Sequence, residues 1–302
     1  MLRWLPASLK GALASVIVIV NTLFWAILIY VFALLKFLIP LPGFRLWCRR
    51  VMVAIAENWI AINSLEARAF HDIKWDIQGT ENLSYDRSYL VCANHQSWVD
   101  IVVLQTVLNR RIPFLRFFLK RELAYVPLLG LAWWALDFPF MRRYSKEFLA
   151  KNPHMRGKDL ETTKQACERF RGMNISILNF LEGTRLTRAK HEKSRSPFRN
   201  LLPPKTGGIA FVLQTMGQQF DALLDVTLFY PEGSPTFWDL LSGRMNEVVV
   251  RIRRIEIPQA FLEGNYLEQD DFRESMQAWV RDLWTSKDQL LDTLKRTHPA
   301  QG

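Results

Sequence analysis

The chain has 302 residues, 49% of them hydrophobic, which is enough to bury the core of one large domain or two ordinary ones. Its net charge of +10 favours an anionic partner, which could be a phosphate-bearing substrate, an acidic bilayer surface or nucleic acid. The three cysteines, Cys48, Cys92 and Cys167, are too few and too scattered for a disulfide framework or a zinc site, so a reducing compartment is expected.

An apolar run without any charged residue extends from Gly11 to Leu35. It reaches the roughly 20 residues that a membrane-spanning helix needs, and it is too long for the core of a signal peptide. The pattern predicts a helix over 11–39, a break at Pro40 to Gly43 and a second helix over 44–68. Residues 1–70 are therefore interpreted as a membrane anchor, either a single span or a helical hairpin lying partly in one leaflet. Basic residues are more numerous after the run than before it, which places the rest of the chain in the cytoplasm.

Beyond residue 70, short apolar runs alternate with helical stretches in the manner of an α/β domain. Strands are predicted at 74–78, 89–93, 175–180, 223–229 and 247–255. Helices are predicted at 99–108, 160–171, 207–216 and 271–294.

Local patterns predict several finer features of this part of the chain. Strand 247–255 alternates in polarity and is expected to expose one face. The last helix is expected to be capped by Asp270 or Asp271. The basic stretch 185–199 is predicted to be a loop. The tryptophan-rich stretch 123–138 is interpreted either as the lining of an apolar groove or a membrane contact, or as an ordinary core helix.

A histidine follows one of the predicted strands, and a carboxylate follows that histidine by five residues. Asn94 and His95 come directly after strand 89–93, and Asp100 falls near the first turn of the next helix. A carboxylate at this spacing can accept the Nδ1 proton of the imidazole, which leaves Nε2 to act as a general base near neutral pH. Taken alone, such a pair is more often a structural hydrogen bond than a catalytic one.

A Glu-Gly-Thr-Arg turn follows strand 175–180. Residues 182–185 offer backbone N–H groups, a hydroxyl and a guanidinium to one anion. Arginine suits this role because its planar fork meets two phosphate oxygens at once. Together, the two segments predict a site that deprotonates a hydroxyl beside a bound phosphate.

These segments resemble, in the same order, motifs of the glycerolipid acyltransferases, the family that includes 1-acyl-glycerol-3-phosphate acyltransferases. Asn94 to Asp100 matches the family's N-H-x-x-x-x-D motif, and Phe140 to Arg143 is similar to its F-x-x-R motif. Phe180 to Arg185 matches F-P-E-G-T-R, with Leu181 in place of proline. Asp225 to Leu228 would be the fourth motif, but it lacks the usual proline. The third motif, taken with Lys190 to Glu192 and Leu202 to Gly208, looks more like the subgroup that contains lysocardiolipin acyltransferase, and the likeness extends to bacterial inner-membrane enzymes.

The resemblance implies an α/β fold with a single acyltransferase domain over residues 71–302, in which helices flank a mixed sheet. An N-terminal membrane helix or helical hairpin precedes this domain. It implies that His95 deprotonates the acceptor hydroxyl and that Asp100 orients His95. Substrate-binding roles are implied for Asn94, Arg143, Glu182, Gly183, Thr184, Arg185 and Lys205. The implied donor is acyl-CoA or acyl-acyl carrier protein, and the implied acceptor is the sn-2 hydroxyl of lysophosphatidate, with no metal, no cofactor and no nucleic acid. The implied location is the inner membrane, with the catalytic domain facing the cytoplasm.

Other interpretations stay open. Cys92 precedes His95 by three residues and could be the nucleophile of a thioesterase or other hydrolase, but strand alternation puts positions three apart on opposite faces. A non-catalytic module for acidic lipid or nucleic acid would also use the basic surplus. The acceptor could be a different lysophospholipid. His191, in the basic stretch, is interpreted as solvated rather than catalytic.

Overall fold

The computed structural model describes residues 6–141, 170, 172–266 and 268–300. Its helices are α1 (Ala7–Leu38), α2 (Pro42–Phe70), α3 (Val99–Leu108), α4 (Leu129–Ala135), α5 (Arg188–Ser194), α6 (Thr206–Met216), α7 (Phe237–Ser242) and α8 (Asp270–Thr297). Its strands are β1 (Lys74–Gln78), β2 (Tyr89–Ala93), β3 (Leu115–Phe117), β4 (Leu119–Lys120), β5 (Phe140–Met141), β6 (Ser176–Phe180), β7 (Ala222–Phe229) and β8 (Glu247–Ile255).

One mixed sheet organises the part of the chain after the two N-terminal helices. Its strand order is β1-β8-β7-β2-β6-β3, and β7 pairs with β8 in the antiparallel sense while the other neighbours are parallel. Helices α6 and α8 pack against one face, and α3 packs against the other. The predicted α/β fold, with a mixed sheet flanked by helices, is confirmed.

The carboxyl ends of β2, β6 and β7 meet at one edge of this sheet, because the three strands are parallel neighbours with β2 in the middle. In open α/β sheets, this edge is where ligands bind. The sheet therefore brings together three loops that are far apart in sequence, which begin at Asn94, Leu181 and Tyr230.

Most predicted elements lie within a few residues of their expected bounds. Strands β1, β2 and β8 and helix α3 have the predicted ends, and β6, β7 and α6 differ by one residue at one end. The helix predicted at 160–171 lies, apart from Phe170, outside the described residues.

Two expectations about the last strand and helix were wrong. Val248, Val249 and Val250 of β8 are all fully buried, because the helix-covered sheet leaves neither face of that part of the strand open. Helix α8 begins at Asp270 itself, and Gln269 precedes it without a side-chain cap. The acidic side chain at Asp270 therefore lies in the first turn, where it is favourable next to the positive end of the helix dipole.

The basic stretch 185–199, predicted as a loop, contains helix α5. The Thr187 side chain caps its start by accepting a hydrogen bond from the backbone N–H of Lys190, and Arg188 pairs with Glu192 one turn on. His191 Nε2 lies 2.7 Å from the carbonyl oxygen of Phe198, which gives this histidine a structural contact. Local capping and an i,i+4 pair stabilise a helix that the charge pattern alone did not indicate.

The two N-terminal helices form a hairpin whose turn, residues 39–41, includes Pro40 of the predicted break. Pro42 and Gly43, which were also predicted to lie in the break, instead begin α2, because proline is well suited to the first turn of a helix. The 32-residue helix α1 is long and apolar enough to cross a membrane by length and composition. Asn21 carries the one buried side-chain amide in the described part of this helix. Its Nδ2 donates to Asn63 Oδ1 at 2.7 Å and to the Trp59 carbonyl. Trp59 Nε1 in turn donates to Thr22 Oγ1 at 3.1 Å. These bonds tie α1 to α2. A side-chain amide in an apolar helix is costly without a hydrogen-bond partner, so the partners on α2 favour the packed hairpin.

The tryptophan-rich stretch 123–138 contains the short helix α4, which has a buried and an exposed side. Ala132 and Ala135 pack with α1 and α2, whereas Leu131 and Trp134 are exposed. The Tyr30 hydroxyl of α1 donates to the carbonyl of Leu128, which fixes α4 against the hairpin. This stretch is therefore partly core and partly an open apolar surface beside α1.

Candidate active site

Asp100 is buried at the start of α3 and accepts four hydrogen bonds. Its Oδ2 accepts from the backbone N–H of Gln96 at 2.6 Å and of Ser97 at 2.8 Å, and His95 Nδ1 lies 2.8 Å from the same oxygen. The tight turn between β2 and α3 is thus held by hydrogen bonds to the Asp100 carboxylate. The carboxylate holds the imidazole in one orientation and gives the Nδ1 proton an acceptor.

Tyr230 provides the fourth bond to Asp100, and sequence reasoning missed it. Its hydroxyl donates to Asp100 Oδ1 at 2.7 Å, and the side chain is buried at the end of β7. Burial and the neighbouring Asp100 raise the pKa of Tyr230 well above its usual value, so this hydroxyl keeps its proton. The available signal was that a tyrosine directly follows β7, but its contact depends on β7 lying beside β2.

The His95 ring lies flat against Phe180, the last residue of β6. The ring centroids are 4.0 Å apart and the ring planes differ by 16°. The His95 side chain is 13% exposed, and Nε2 has no hydrogen-bond partner among the described residues. A histidine with Nδ1 held by a carboxylate and Nε2 at a partly open surface has the arrangement of a general base.

Glu182 joins the two sequence motifs directly. Its Oε1 accepts from the His95 backbone N–H at 2.8 Å, and its Oε2 accepts from the Leu202 backbone N–H at 3.1 Å. The Leu186 backbone N–H also donates to the His95 carbonyl at 2.7 Å. Glu182 is buried, and this burial raises the pKa of its carboxyl to about 7. Both oxygens bind the protein's own backbone, which is the geometry of a residue that positions the loops.

Three other residues predicted to bind substrate are exposed or partly exposed beside this junction. Gly183 has a φ of +66°, and a Cβ there would lie 3.0 Å from Lys205 Cδ, so Lys205 packs against a turn that needs glycine. The Arg185 guanidinium lies 4.8 Å from the centroid of the exposed Trp98 ring. Lys205 is the residue before α6, and its backbone N–H donates to the Leu181 carbonyl. Two basic side chains therefore stand on the loops that adjoin His95.

Thr184 contacts a basic residue that the sequence did not single out for binding. Lys190 Nζ donates to Thr184 Oγ1 at 2.6 Å and to the Arg185 carbonyl at 3.1 Å. Lys190 is exposed on helix α5. It brings a third cation to the Thr184–Arg185 turn, which strengthens the field for an anion there.

Asn94 has a different position from the one expected of a substrate ligand. Its side chain is fully buried, its Nδ2 donates to the Leu228 carbonyl at 2.9 Å, and its Oδ1 accepts from the Leu228 backbone N–H at 2.9 Å. Both polar groups of the amide thus pair with one residue of β7. Asn94 continues the β2–β7 pairing past the end of β2, and so holds the turn that carries His95.

Arg143, which was predicted to bind substrate, lies outside the described residues, and so does the rest of the second motif beyond Met141.

Cys92 is fully buried on the sheet face that α6 and α8 cover, and burial raises the pKa of its thiol. A thiol that is inaccessible and held in its protonated form is a poor nucleophile. In the part of the chain that the structure describes, no group of three His, Cys, Asp or Glu residues is arranged to hold a metal ion.

The chain is similar to known acyltransferases over most of its length. The family model described as "Acyltransferase" matches residues 74–233, which include the His95, Glu182 and Tyr230 loops. A relative from Arabidopsis thaliana, "Probable 1-acyl-sn-glycerol-3-phosphate acyltransferase 5", is 26% identical over 260 residues, which are 82% of this chain and 64% of that protein. A second, "1-acyl-sn-glycerol-3-phosphate acyltransferase 3" from the same plant, is 26% identical over 308 residues, which are 95% of this chain and 75% of that protein.

A solved structure is also similar. The crystal structure of the 1-acyl-sn-glycerophosphate (LPA) acyltransferase from Thermotoga maritima matches 91% of this chain and 98% of its own, at 17% identity and a TM-score of 0.46. This chain spans somewhat less than two thirds of the length of the first plant relative and three quarters of the second. Because the family model covers more than half of its residues, this chain belongs to the acyltransferase family.

Proposed function

We propose that the protein transfers a fatty acyl group from an acyl thioester to the sn-2 hydroxyl of lysophosphatidate, giving phosphatidate. One observation carries the proposal: the His95–Asp100 pair is joined through Glu182 to the turn that bears Arg185. A general base therefore stands beside a cationic turn suited to a phosphate. An acceptor that carries both a hydroxyl and a phosphate monoester matches these two features together.

In the proposed reaction, His95 Nε2 accepts the proton of the acceptor hydroxyl while its oxygen attacks the thioester carbonyl carbon. Asp100 stabilises the imidazolium that forms. The tetrahedral intermediate then collapses, the C–S bond breaks, and the leaving thiolate takes the proton from the imidazolium. The base is restored, and neither a metal nor a covalent acyl-enzyme is needed. The buried position of Cys92 supports direct transfer.

The binding roles follow from exposure and charge. Arg185 and Lys205 hold the acceptor phosphate from the two loops beside His95, and Lys190 reinforces the Thr184–Arg185 turn. Gly183 gives this turn its left-handed backbone. Glu182 and Asn94 position the loops and do not contact the substrate. Arg143 is proposed as a further phosphate ligand on the resemblance alone.

The choice of substrate is supported by the names of the relatives, which are 1-acyl-sn-glycerol-3-phosphate acyltransferases. The donor is acyl-CoA or acyl-acyl carrier protein. The lysophospholipid acceptor lies in the surface of the bilayer, and the acyl donor reaches that surface from water. Both substrates therefore fit an enzyme anchored by α1 and α2. We accordingly propose an anchor over residues 1–70, a catalytic domain over 71–302, and an inner-membrane location with that domain facing the cytoplasm.

A donor and acceptor panel tests this function. The purified full chain in detergent micelles is given labelled acyl-CoA or acyl-acyl carrier protein with lysophosphatidate, with other lysophospholipids, or with no acceptor. The proposal predicts phosphatidate as the main product and a preference for the phosphate monoester acceptor. A higher specificity constant with another lysophospholipid would contradict the substrate assignment. Release of free fatty acid as the main product would instead indicate a hydrolase.

A further inference from the structure

A second basic pocket lies between the turn of the N-terminal hairpin and helix α4, apart from the His95 site. We name it the hairpin pocket, and its walls include Lys36, Phe37, Arg45, Arg49, Trp134 and Asp137. None of its lining residues belongs to the loops around His95. The bond from Tyr30 to the Leu128 carbonyl holds α4 against α1, so both sides of the pocket are fixed in place.

Positive charge predominates in this pocket. Arg49 Nε lies 2.8 Å from Asp137 Oδ2, and Lys36 Nζ lies 3.6 Å from Asp137 Oδ1. Arg45 Nε donates to the Lys36 carbonyl at 3.2 Å, and Arg45 forms no ion pair with a carboxylate in the described part of the chain. Among the described residues that line the pocket, three are cations, Lys36, Arg45 and Arg49, and one is a carboxylate, Asp137, so the lining favours an anion.

The rim of the pocket is apolar and open. Phe37 is 74% exposed and Trp134 is 57% exposed, and Leu131 of α4 is exposed next to Trp134. Large apolar side chains exposed around a cationic centre are unusual on a protein surface that faces water alone. At the end of an apolar membrane helix, in contrast, basic and tryptophan side chains mark the level of the lipid headgroups.

We propose that the hairpin pocket binds an anionic phospholipid of the surrounding bilayer at a non-catalytic site. The lipid phosphate lies between Arg45 and Lys36, and the start of an acyl chain lies against Trp134 and Phe37. Charge complementarity selects an anionic head, and the apolar rim selects a lipid over a free ion. The site holds the hairpin turn at headgroup depth. This inference stands whether or not the acyl transfer proposed above is correct.

A binding titration on the full chain tests the site. Short-chain phosphatidylglycerol has no free hydroxyl on its acylated glycerol, so it cannot replace the acceptor, and it is titrated calorimetrically into the protein in detergent micelles. Phosphatidylcholine of the same chain length and inorganic phosphate are titrated in parallel. The proposal predicts that phosphatidylglycerol binds more tightly than either of them. Equal affinity for phosphatidylcholine would exclude an anion-selective site, and equal affinity for phosphate would exclude a lipid site.

Matched variants locate the binding. Lys36→Gln with Arg45→Gln is expected to weaken phosphatidylglycerol binding by about fivefold for each cation removed. Arg68→Gln removes the same charge from the other end of α2, and Arg185→Gln alters the turn beside His95, so both should bind as the wild type does. Binding that survives the double change, or that is lost in Arg185→Gln, would overturn the proposal.

Two further measurements guard against loss of folding. The thermal midpoint of each variant is recorded in the same micelles, and the single change Arg45→Gln is used if the double variant melts early. Transfer to a short-chain acceptor in micelles should be unchanged in Arg45→Gln, because the pocket is not catalytic. Loss of that transfer together with lipid binding in a folded Arg45→Gln protein would contradict a separate site.

Discussion

The hydroxyl of Tyr230 donates to Asp100 Oδ1 at 2.7 Å, while His95 Nδ1 lies 2.8 Å from the other oxygen of the same carboxylate. A residue at the end of β7 therefore fixes the carboxylate that orients the proposed base on the neighbouring strand. The Tyr230 side chain is buried, and its hydroxyl is bonded to Asp100. It is a positioning residue whose effect passes through Asp100.

We predict that Tyr230→Phe lowers kcat and leaves KM for the acceptor nearly unchanged. Removing a hydrogen bond to a buried carboxylate costs about 1.5–3 kcal/mol, and Asp100 then loses a contact that fixes its orientation toward His95. The constants kcat and KM are measured separately, beside a thermal melt. A fall in the melting midpoint with an unchanged kcat would make Tyr230 only a structural residue.

Arg185 should determine the affinity for the acceptor phosphate. Replacing Arg185 with Gln is predicted to raise KM for lysophosphatidate by about tenfold or more, because charge-assisted bonds to phosphate contribute about 1.5–3 kcal/mol. Arg188, an exposed arginine one turn on that pairs with Glu192, provides the matched control. Its change to Gln should leave KM unaltered. Equal effects of the two changes would point to general surface charge.

Gly183 should be intolerant of a side chain. Gly183→Ala places a Cβ 3.0 Å from Lys205 Cδ on a backbone with φ of +66°, which costs about 1–2 kcal/mol for the left-handed conformation alone. We expect loss of acceptor binding, read from KM. Gly207, in the first turn of α6, has open space at its Cβ position and is the control. Wild-type kinetics in Gly183→Ala would show that the turn is not part of the site.

The raised pKa of Glu182 leads us to predict that the stability of the protein depends on pH. Burial raises the pKa of its carboxyl from 4.5 to about 7 in the folded protein, so its protonated form is favoured there. Its contribution is fully present below about pH 4.5 and is lost as the pH rises through about 7. The free energy of unfolding of the wild type should therefore fall relative to Glu182→Gln across this range, by up to about 3 kcal/mol. A constant difference between the two proteins would refute the raised pKa.

The sequence predicts most of the fold because its signals are local. The strands adjoining the site are nearly continuous apolar runs, and a buried strand needs no partner to be recognised. The exposure of β8 could not be predicted in the same way. Whether Val249 is buried depends on the α8 helix, which lies across that face of the sheet.

The same difference between local and long-range signals applies to the residues of the candidate site. The His95–Asp100 contact spans five residues, so spacing alone predicted it, and the structure places the two side chains together. Tyr230 is separated from Asp100 by 130 residues, and only the pairing of β2 with β7 brings it there. Glu182 was predicted to bind substrate, whereas its burial and its bonds to the His95 and Leu202 backbones could be seen only in three dimensions.

The central claim is that His95 acts as the base that activates the acceptor hydroxyl. The most direct measurement is the single-turnover rate of labelled acyl transfer to lysophosphatidate in His95→Gln, compared with the wild type in the same micelles. We predict a fall of about 10²–10⁴-fold with unchanged acceptor binding and an unchanged thermal midpoint. A folded His95→Gln protein that transfers the acyl group at the wild-type rate would contradict the account.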